Sequence, residues 1–234
     1  MQANADLETL KKARFKKRVY LLSVVSAVIA AIIVIVFAML LHKPAYYKPL
    51  DYAHSREVSL YLTNELLPEL YNGAQLQEPF DLVVTQSGIN DIVARFDWPQ
   101  EVGSVRISAP MVFFSTGSVV LMGTVVMDGT ELVGTIVAEP ALDVEGRLNL
   151  HVASVNIGAV DITPLARVLA RGICQQRFTE VGIGVEDVQA QVAASLLDDK
   201  PFEPVFDVED KKVRVEKITV EPKKLTIHLV PVFD

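Results

Sequence analysis

The sequence predicts an α+β protein: one N-terminal transmembrane helix followed by an antiparallel β-meander domain packed with a few helices. Three observations carry this reading. Residues 19–41 are apolar throughout and hold no charge. Residues 104–157 contain four stretches rich in Val, Ile, Leu, Phe and Thr, separated by Thr116-Gly117, Asp128-Gly129 and Glu145-Gly146. Segments with helical apolar spacing lie on either side of these stretches.

Only Tyr20, Ser23 and Ser26 interrupt the aliphatic and aromatic side chains of 19–41. As a helix this stretch is about 34 Å long, enough for a hydrocarbon core of roughly 30 Å. A helix satisfies its own backbone groups where lipid cannot. A cleaved signal peptide has a shorter apolar region that ends in small residues. Here the run closes on Met39-Leu40-Leu41-His42-Lys43, which favours an uncleaved anchor. Residues 1–18 carry six basic side chains against Asp6 and Glu8, a net of +4 within a chain of −7, which leaves −11 beyond them. Cytoplasmic flanks are enriched in Lys and Arg, so 1–18 is expected to be a basic cytoplasmic tail and the acidic body to lie outside. Tyr20, Tyr46, Tyr47 and Tyr52 fit interfacial aromatics. Ser23, Ala27 and Ala31 would let two helices approach closely, although alanine is common in any spanning helix.

Residues 42–53, with Pro44 and Pro49, are expected to form a semi-extended tether before a single domain at 54–234. Helical spacing at Val58, Tyr61, Leu62, Leu66 and Leu70 predicts a helix that Pro68 kinks or ends and Asn72-Gly73 closes. A short strand over 80–86 leads to a second helix capped by Thr85 or Ser87, with Ile89, Ile92, Val93 and Phe96 on one face. Strands follow at about 104–114, 118–127, 130–139 and 147–157. Asp-Gly between two apolar runs is a strong hairpin signal, because both turn positions need φ > 0. Pro110 argues for an edge or a bulge, and Pro140 for the end of the third strand. Thr163-Pro164 opens a helix with Leu165, Val168 and Leu169 on its apolar face and Gly172 as its stop. A further helix over 186–197 precedes strands at 212–220 and 224–232, a hairpin expected to join the sheet.

Chemistry-bearing patterns are sparse. His42, His54, His151 and His228 lack metal-ligand spacing, and Cys174 stands alone, so no metal and no internal disulfide is expected. No nucleophile elbow, P-loop or dinucleotide fingerprint occurs, so no cofactor is expected. Asp198, Asp199, Asp207, Glu209 and Asp210 are read as solvated turns, with Lys200, Lys211 and Lys212 beside them. The acidic body argues against nucleic acid.

The meander is the informative feature. A sheet with one wet face alternates apolar and polar residues. In the second strand Val119, Leu121, Val125 and Met127 oppose Val120, Met122 and Val126. In the third, Leu132 and Ile136 oppose Val133 and Val137. Both faces therefore need a cover. Helices or the C-terminal hairpin would supply one; an acyl chain in a groove would supply another, at about 0.8 kcal/mol per buried methylene.

Several motifs in order resemble the YpmS-type family of small membrane-anchored envelope proteins. They are Thr85-x-Ser87-Gly88-Ile89-Asn90-Asp91-Ile92, Leu121-x-Gly123, Glu139-Pro140-x-Leu142-x-Val144-x-Gly146-x-Leu148, Ser154-Val155-Asn156-Ile157-Gly158 and Thr163-Pro164-Leu165. The resemblance covers roughly residues 79–171 and the last twenty. It implies an envelope location and transfers no active-site residue. Such meander-plus-helix domains are loosely similar to tubular lipid-binding folds. That similarity implies a lining of Ile89, Ile92, Val93 and Phe96 from the helix. The sheet would add Val119, Leu121, Val125, Met127, Leu132 and Ile136. The expected function is a single-pass, non-enzymatic extracytoplasmic domain that binds a lipid or acyl chain. The alternative is an envelope scaffold that docks a protein partner, through an exposed sheet edge at Pro110.

Overall fold

A computed structural model describes residues 2–50, 57–76, 78–102, 105–127, 129–181 and 188–232. Helix α1 (Gln2–Leu40) contains the apolar segment Tyr20–Leu40, which is long and apolar enough to cross a membrane. None of that segment is buried against the rest of the protein. In water its side chains would lose the hydrophobic stabilisation that every other apolar cluster of the chain gains.

The domain that follows is α+β. A π-helical turn (Leu62–Leu66) runs directly into α2 (Leu67–Gln75). Pro68 does not end the helix. It sits in the first turn of α2, directly after the π-helical turn, an irregularity of the kind found where helices kink. Gly73 does not close the helix either: it is buried, and a Cβ there would overlap the Phe80 ring. Strand β1 (Phe80–Thr85) leads into α3 (Gln86–Ala94), whose N-cap is Thr85, the side chain accepting from the Gly88 amide.

The meander is β2 (Gln100–Val102), β3 (Val105–Ser115), β4 (Ser118–Met127), β5 (Thr130–Leu142), β6 (Leu148–Ile157) and β7 (Val160–Asp161), paired antiparallel in that order. Gly117, Gly129 and Gly146 in its turns all have positive φ, as the turn chemistry requires. The register of β3 shifts between Ser108 and Met111, so Pro110 lies at a bulge. Strand β5 passes through Pro140, contrary to expectation, and extends to Leu142. Pro140 pairs with Leu150, whose N–H points away from β5 to Ser195. The missing N–H of Pro140 therefore faces the side where β4 has already ended, and no ladder bond is lost.

Helix α4 (Thr163–Val181) continues past Gly172, an interior glycine that weakens a helix without stopping it. Helix α5 (Val188–Asp198) follows. The closing strands β9 (Lys211–Glu221) and β10 (Lys224–Val232) do not join the meander. They form a second sheet, β1-β10-β9-β8, with β8 at Val205–Val208. Strand β1 occupies the outer edge of β10, and β8 that of β9 over Lys211–Arg214.

The two sheets meet through Val84 and Val220 on one side and Val112 and Phe114 on the other, with Ile89, Val93 and Val119 packed around them. Phe114 is 2% exposed; truncating such a residue to Ala costs about 3–5 kcal/mol. Where the short edge strands β2 and β7 do not reach, side chains bond the outer sides of β3 and β6. On β3, the Asn90 amide donates to the Val112 carbonyl and accepts from the Val112 N–H, each at 2.7 Å, and Gln86 accepts from Phe114 N–H at 3.0 Å. On β6, Ser195 Oγ accepts from Leu150 N–H at 2.7 Å and Arg167 donates to the Val152 carbonyl at 2.9 Å. The edge beside Pro110, assigned to partner docking in the scaffold reading, is thus already paired by α3 at Val112 and Phe114.

Candidate functional site

Strand alternation sorts the meander into two faces. On the first, Val120, Met122 and Val133 are buried beneath Tyr47, with Met111, Phe113 and Val137 around them. The tether therefore folds onto the sheet. Tyr47 is 3% exposed, its hydroxyl is 2.9 Å from Thr124 Oγ1, and Tyr46 stacks on Phe113. Tyr47 is not an interfacial aromatic as expected; a ring that can lie on an apolar sheet and reach a hydroxyl is better buried there. Tyr52 and His54 lie outside the described residues. Burial pushes the Tyr47 phenol above its ordinary value, and the Thr124 hydrogen bond works against that shift.

On the second face, register places three rows across the sheet. The first is Phe114, Val119 and Ala138; the second is Val112, Leu121, Ile136 and Val155; the third is Gly123, Gly134 and Ile157. Ile107, Val125 and Leu132 form a fourth, and Met127 lies opposite Thr130 at the hairpin. The end holding Phe114 and Val119 is covered by α3 and β9. The other end is open: Leu121, Ile136 and Met127 are 43%, 37% and 46% exposed, and Val125 and Leu132 are half-buried.

The expected lining is divided accordingly. Ile89, Val93 and Val119 pack in the core between the sheets and are not available to a ligand. Leu121, Val125, Met127, Leu132 and Ile136 share the open surface. Helix α3 descends along β3, with Gln86 at Phe114 and Asn90 at Val112, which carries its C-terminal end toward the open half. Ile92 is half-buried, and Phe96, past that end, is 62% exposed.

The glycine pair at the centre of this surface was not foreseen. Gly123 faces Gly134 on the neighbouring strand, and neither has a positive φ. A Cβ on Gly123 would meet only ordinary contacts, 3.5 Å from the Ser108 carbonyl and 3.7 Å from Ile107 Cγ2. A Cβ on Gly134 would meet Val125 Cγ2 at 3.2 Å. Backbone conformation and tight packing do not require glycine at position 123, but Gly123 lies opposite the bulge at residues 109–110 of β3, one of the places where a strand carries glycine. This isolated pair, flanked by Val125, Leu121 and Ile136, was the available sequence signal. The two residues carry no side chain between the Leu121–Ile136 and Val125–Leu132 rows, so this stretch of the open apolar face, the trough, has backbone for a floor.

The trough starts beside the end of α1. Gly158, in the β6–β7 turn, donates to the Val133 carbonyl, and Ala159 donates to the Met39 carbonyl, each at 2.8 Å. Gly158 has φ +57°, and a Cβ there would overlap the carbonyl oxygens of Met39 and Leu40. Leu132 and Gly134, on the trough floor, flank Val133.

Polar chemistry lies elsewhere. Asp161 is held below the usual carboxylate range by the Thr163 hydroxyl and amide at the start of α4. Asp143 is held low by the Arg147 amide in the β5–β6 turn. The acidic candidates Asp198 and Asp199 pair with Arg171 and with His151 and Arg167. The Asp210 carboxylate pairs with Lys211. His228 meets Asp81 at 2.7 Å, and the Cys174 side chain is outside the described set. Among the described residues no three of His, Cys, Asp and Glu converge on a metal-sized site. A cavity of about 290 Å³ lies apart from the trough, between the tether (Lys48, Leu50), the start of α3 (Gln86, Ser87, Asn90), Met111 and Lys223. No family model matches the chain, and no curated protein matches it.

Proposed function

We propose that the protein is a single-pass membrane protein whose outer domain binds an acyl chain of a lipid in the trough on the meander. One observation carries this reading: an apolar sheet surface with a glycine floor is left open at the end nearest an apolar helix that nothing else in the protein covers. A monomeric domain gains nothing from exposing Leu121, Ile136 and Met127 together on one face, whereas a bound chain would remove them from water. The basic stub of 1–18 supports an N-terminus in the cytoplasm and a domain outside. Ion pairs and caps use the carboxylates of Asp143, Asp161, Asp198, Asp199 and Asp210, which supports binding over catalysis. The resemblance to the YpmS-type family, carried by the motifs around Ile89, Gly123 and Gly158, supports the same envelope setting.

The test is photo-cross-linking of the full chain in its native membrane, with p-benzoylphenylalanine at position 136. Lipid adducts at 136, absent when the probe sits at the fully exposed Val144, are the expected result. Adducts to protein alone would replace this reading with the scaffold alternative.

A further inference from the structure

The end of the trough nearest α1 is built from a hairpin that overhangs β6. Strand β6 begins pairing with β5 at Gly134↔Ile157, while β5 pairs with β4 down to Thr130↔Met127 and β4 with β3 as far as Met127↔Val105. Thr130 thus lies about 13 Å beyond the last β6 pair at strand spacing. On the trough side this overhang presents Val125, Leu132 and Met127, and Met127 is 46% exposed at its tip. The hairpin is fixed to the anchor by a short chain of bonds, Val133 carbonyl to Gly158 amide and Ala159 amide to Met39 carbonyl. Tyr47 holds the other side of the same strands, so residues 39–47 are fastened at both ends and are not a leash.

We infer that the ligand is a membrane phospholipid taken laterally from the leaflet at the C-terminal end of α1, its acyl chain passing over the Met127 overhang into the trough. This rests on the acyl-binding reading above and adds the source and the route. The overhang and the end of the spanning helix meet at one fixed joint, so the chain moves from bilayer to trough along an apolar path. A free fatty acid or lipid monomer arriving from solution would not need that joint.

The route is tested with the full chain carrying p-benzoylphenylalanine at 136, loaded in two ways. In one the protein sits in vesicles of phosphatidylethanolamine and phosphatidylglycerol. In the other it is held in amphipol and receives dihexanoylphosphatidylcholine as monomers. Thr130→Glu places a charge on an exposed side chain at the hairpin tip, outside the trough lining, so the fold is retained. It should cut vesicle-derived adducts at least tenfold and leave monomer-derived adducts unchanged. Ala159→Pro, which removes the donor to Met39, should reduce vesicle loading in the same direction. Undiminished vesicle loading in Thr130→Glu would overturn the lateral route while the trough stands. Absence of adducts from both supplies in the parent protein would overturn the trough and the route together.

Discussion

The Tyr47 hydroxyl lies 2.9 Å from Thr124 Oγ1, joining positions 77 apart and fastening the segment after the apolar helix to the middle of β4. Its ring closes a cluster with Val120, Met122 and Val133, so the residues leading out of α1 are part of the folded domain. A leash would let the domain tumble above a membrane; this arrangement gives it one pose.

Tyr47→Ala should therefore destabilise the domain by about 3–5 kcal/mol, the range for removing a buried aromatic side chain. Tyr47→Phe keeps the ring and should cost about 1 kcal/mol. The phenol's ionisation adds a pH signature. Burial raises its folded value above the ordinary tyrosine value of about 10, so the core accepts the neutral form. Its contribution is complete below about pH 10 and is lost as pH rises through the raised value. Thermal midpoints between pH 8 and 11.5 should fall more steeply for the parent than for Tyr47→Phe. Parallel curves would show that the buried phenol is not coupled to folding.

Asn90 closes the β3 edge with two bonds to Val112 and is 8% exposed. Asn90→Ala leaves a buried N–H and a buried carbonyl without partners, each costing about 1–3 kcal/mol. It also reopens an edge that can pair with another chain. The expected result is a midpoint lowered by several degrees together with concentration-dependent aggregation. A stable, monodisperse variant would mean that water closes this edge as well as the amide does.

Two glycines in helices should respond to alanine with opposite signs. Gly88, in α3, is buried against the Tyr61 ring, which a Cβ would overlap. That ring cannot swing away cheaply: its hydroxyl donates to the Val83 carbonyl and accepts from the Thr85 amide. Overpacking of about 1–3 kcal/mol should exceed the roughly 1 kcal/mol gained in helix propensity, so Gly88→Ala is destabilising. Gly172, in α4, has open space at its Cβ position, so Gly172→Ala should stabilise by up to about 1 kcal/mol. Denaturant titration of both variants gives the two signs directly.

Local chemistry made the meander legible. The Gly117, Gly129 and Gly146 turns, the Thr85 cap and the Pro110 bulge each depend on a few neighbouring residues, and each stands where the sequence places it. Elements decided by distant partners were not readable. Pro140 lies inside a strand because β4 ends one position earlier, and nothing near Pro140 encodes that. The β9–β10 pair forms its own sheet because β1, about 140 residues before its partner β10, takes its edge. The candidate site divides in the same way. Alternation in β4 and β5 identified two apolar faces, but only the tertiary fold assigns Ile89, Val93 and Val119 to the core and leaves Leu121 and Ile136 open. Tyr47 was misplaced because an aromatic next to a spanning helix has two good environments, and the distant Thr124 decides between them.

Stability and ligand binding should separate at Gly123. Glycine weakens a strand interior, and valine suits one, with host-protein scales spanning about 1 kcal/mol. The space at Gly123 admits a Cβ at ordinary contact distances, and the row it belongs to is half-buried. Gly123→Val should therefore hold or raise the thermal midpoint. The same two methyl groups would stand on the trough floor between Leu121 and Val125, where an acyl chain would lie. Lipid adducts at position 136 should then fall at least tenfold while the domain becomes no less stable. Leu121→Glu serves as the electrostatic counterpart: its side chain is 43% exposed, so it should cost stability modestly and repel the chain by charge. Val120→Glu, on the face covered by Tyr47, should unfold the domain. If Gly123→Val binds lipid as the parent does, the glycine pair is not the floor of a ligand site, and the open face needs a different occupant.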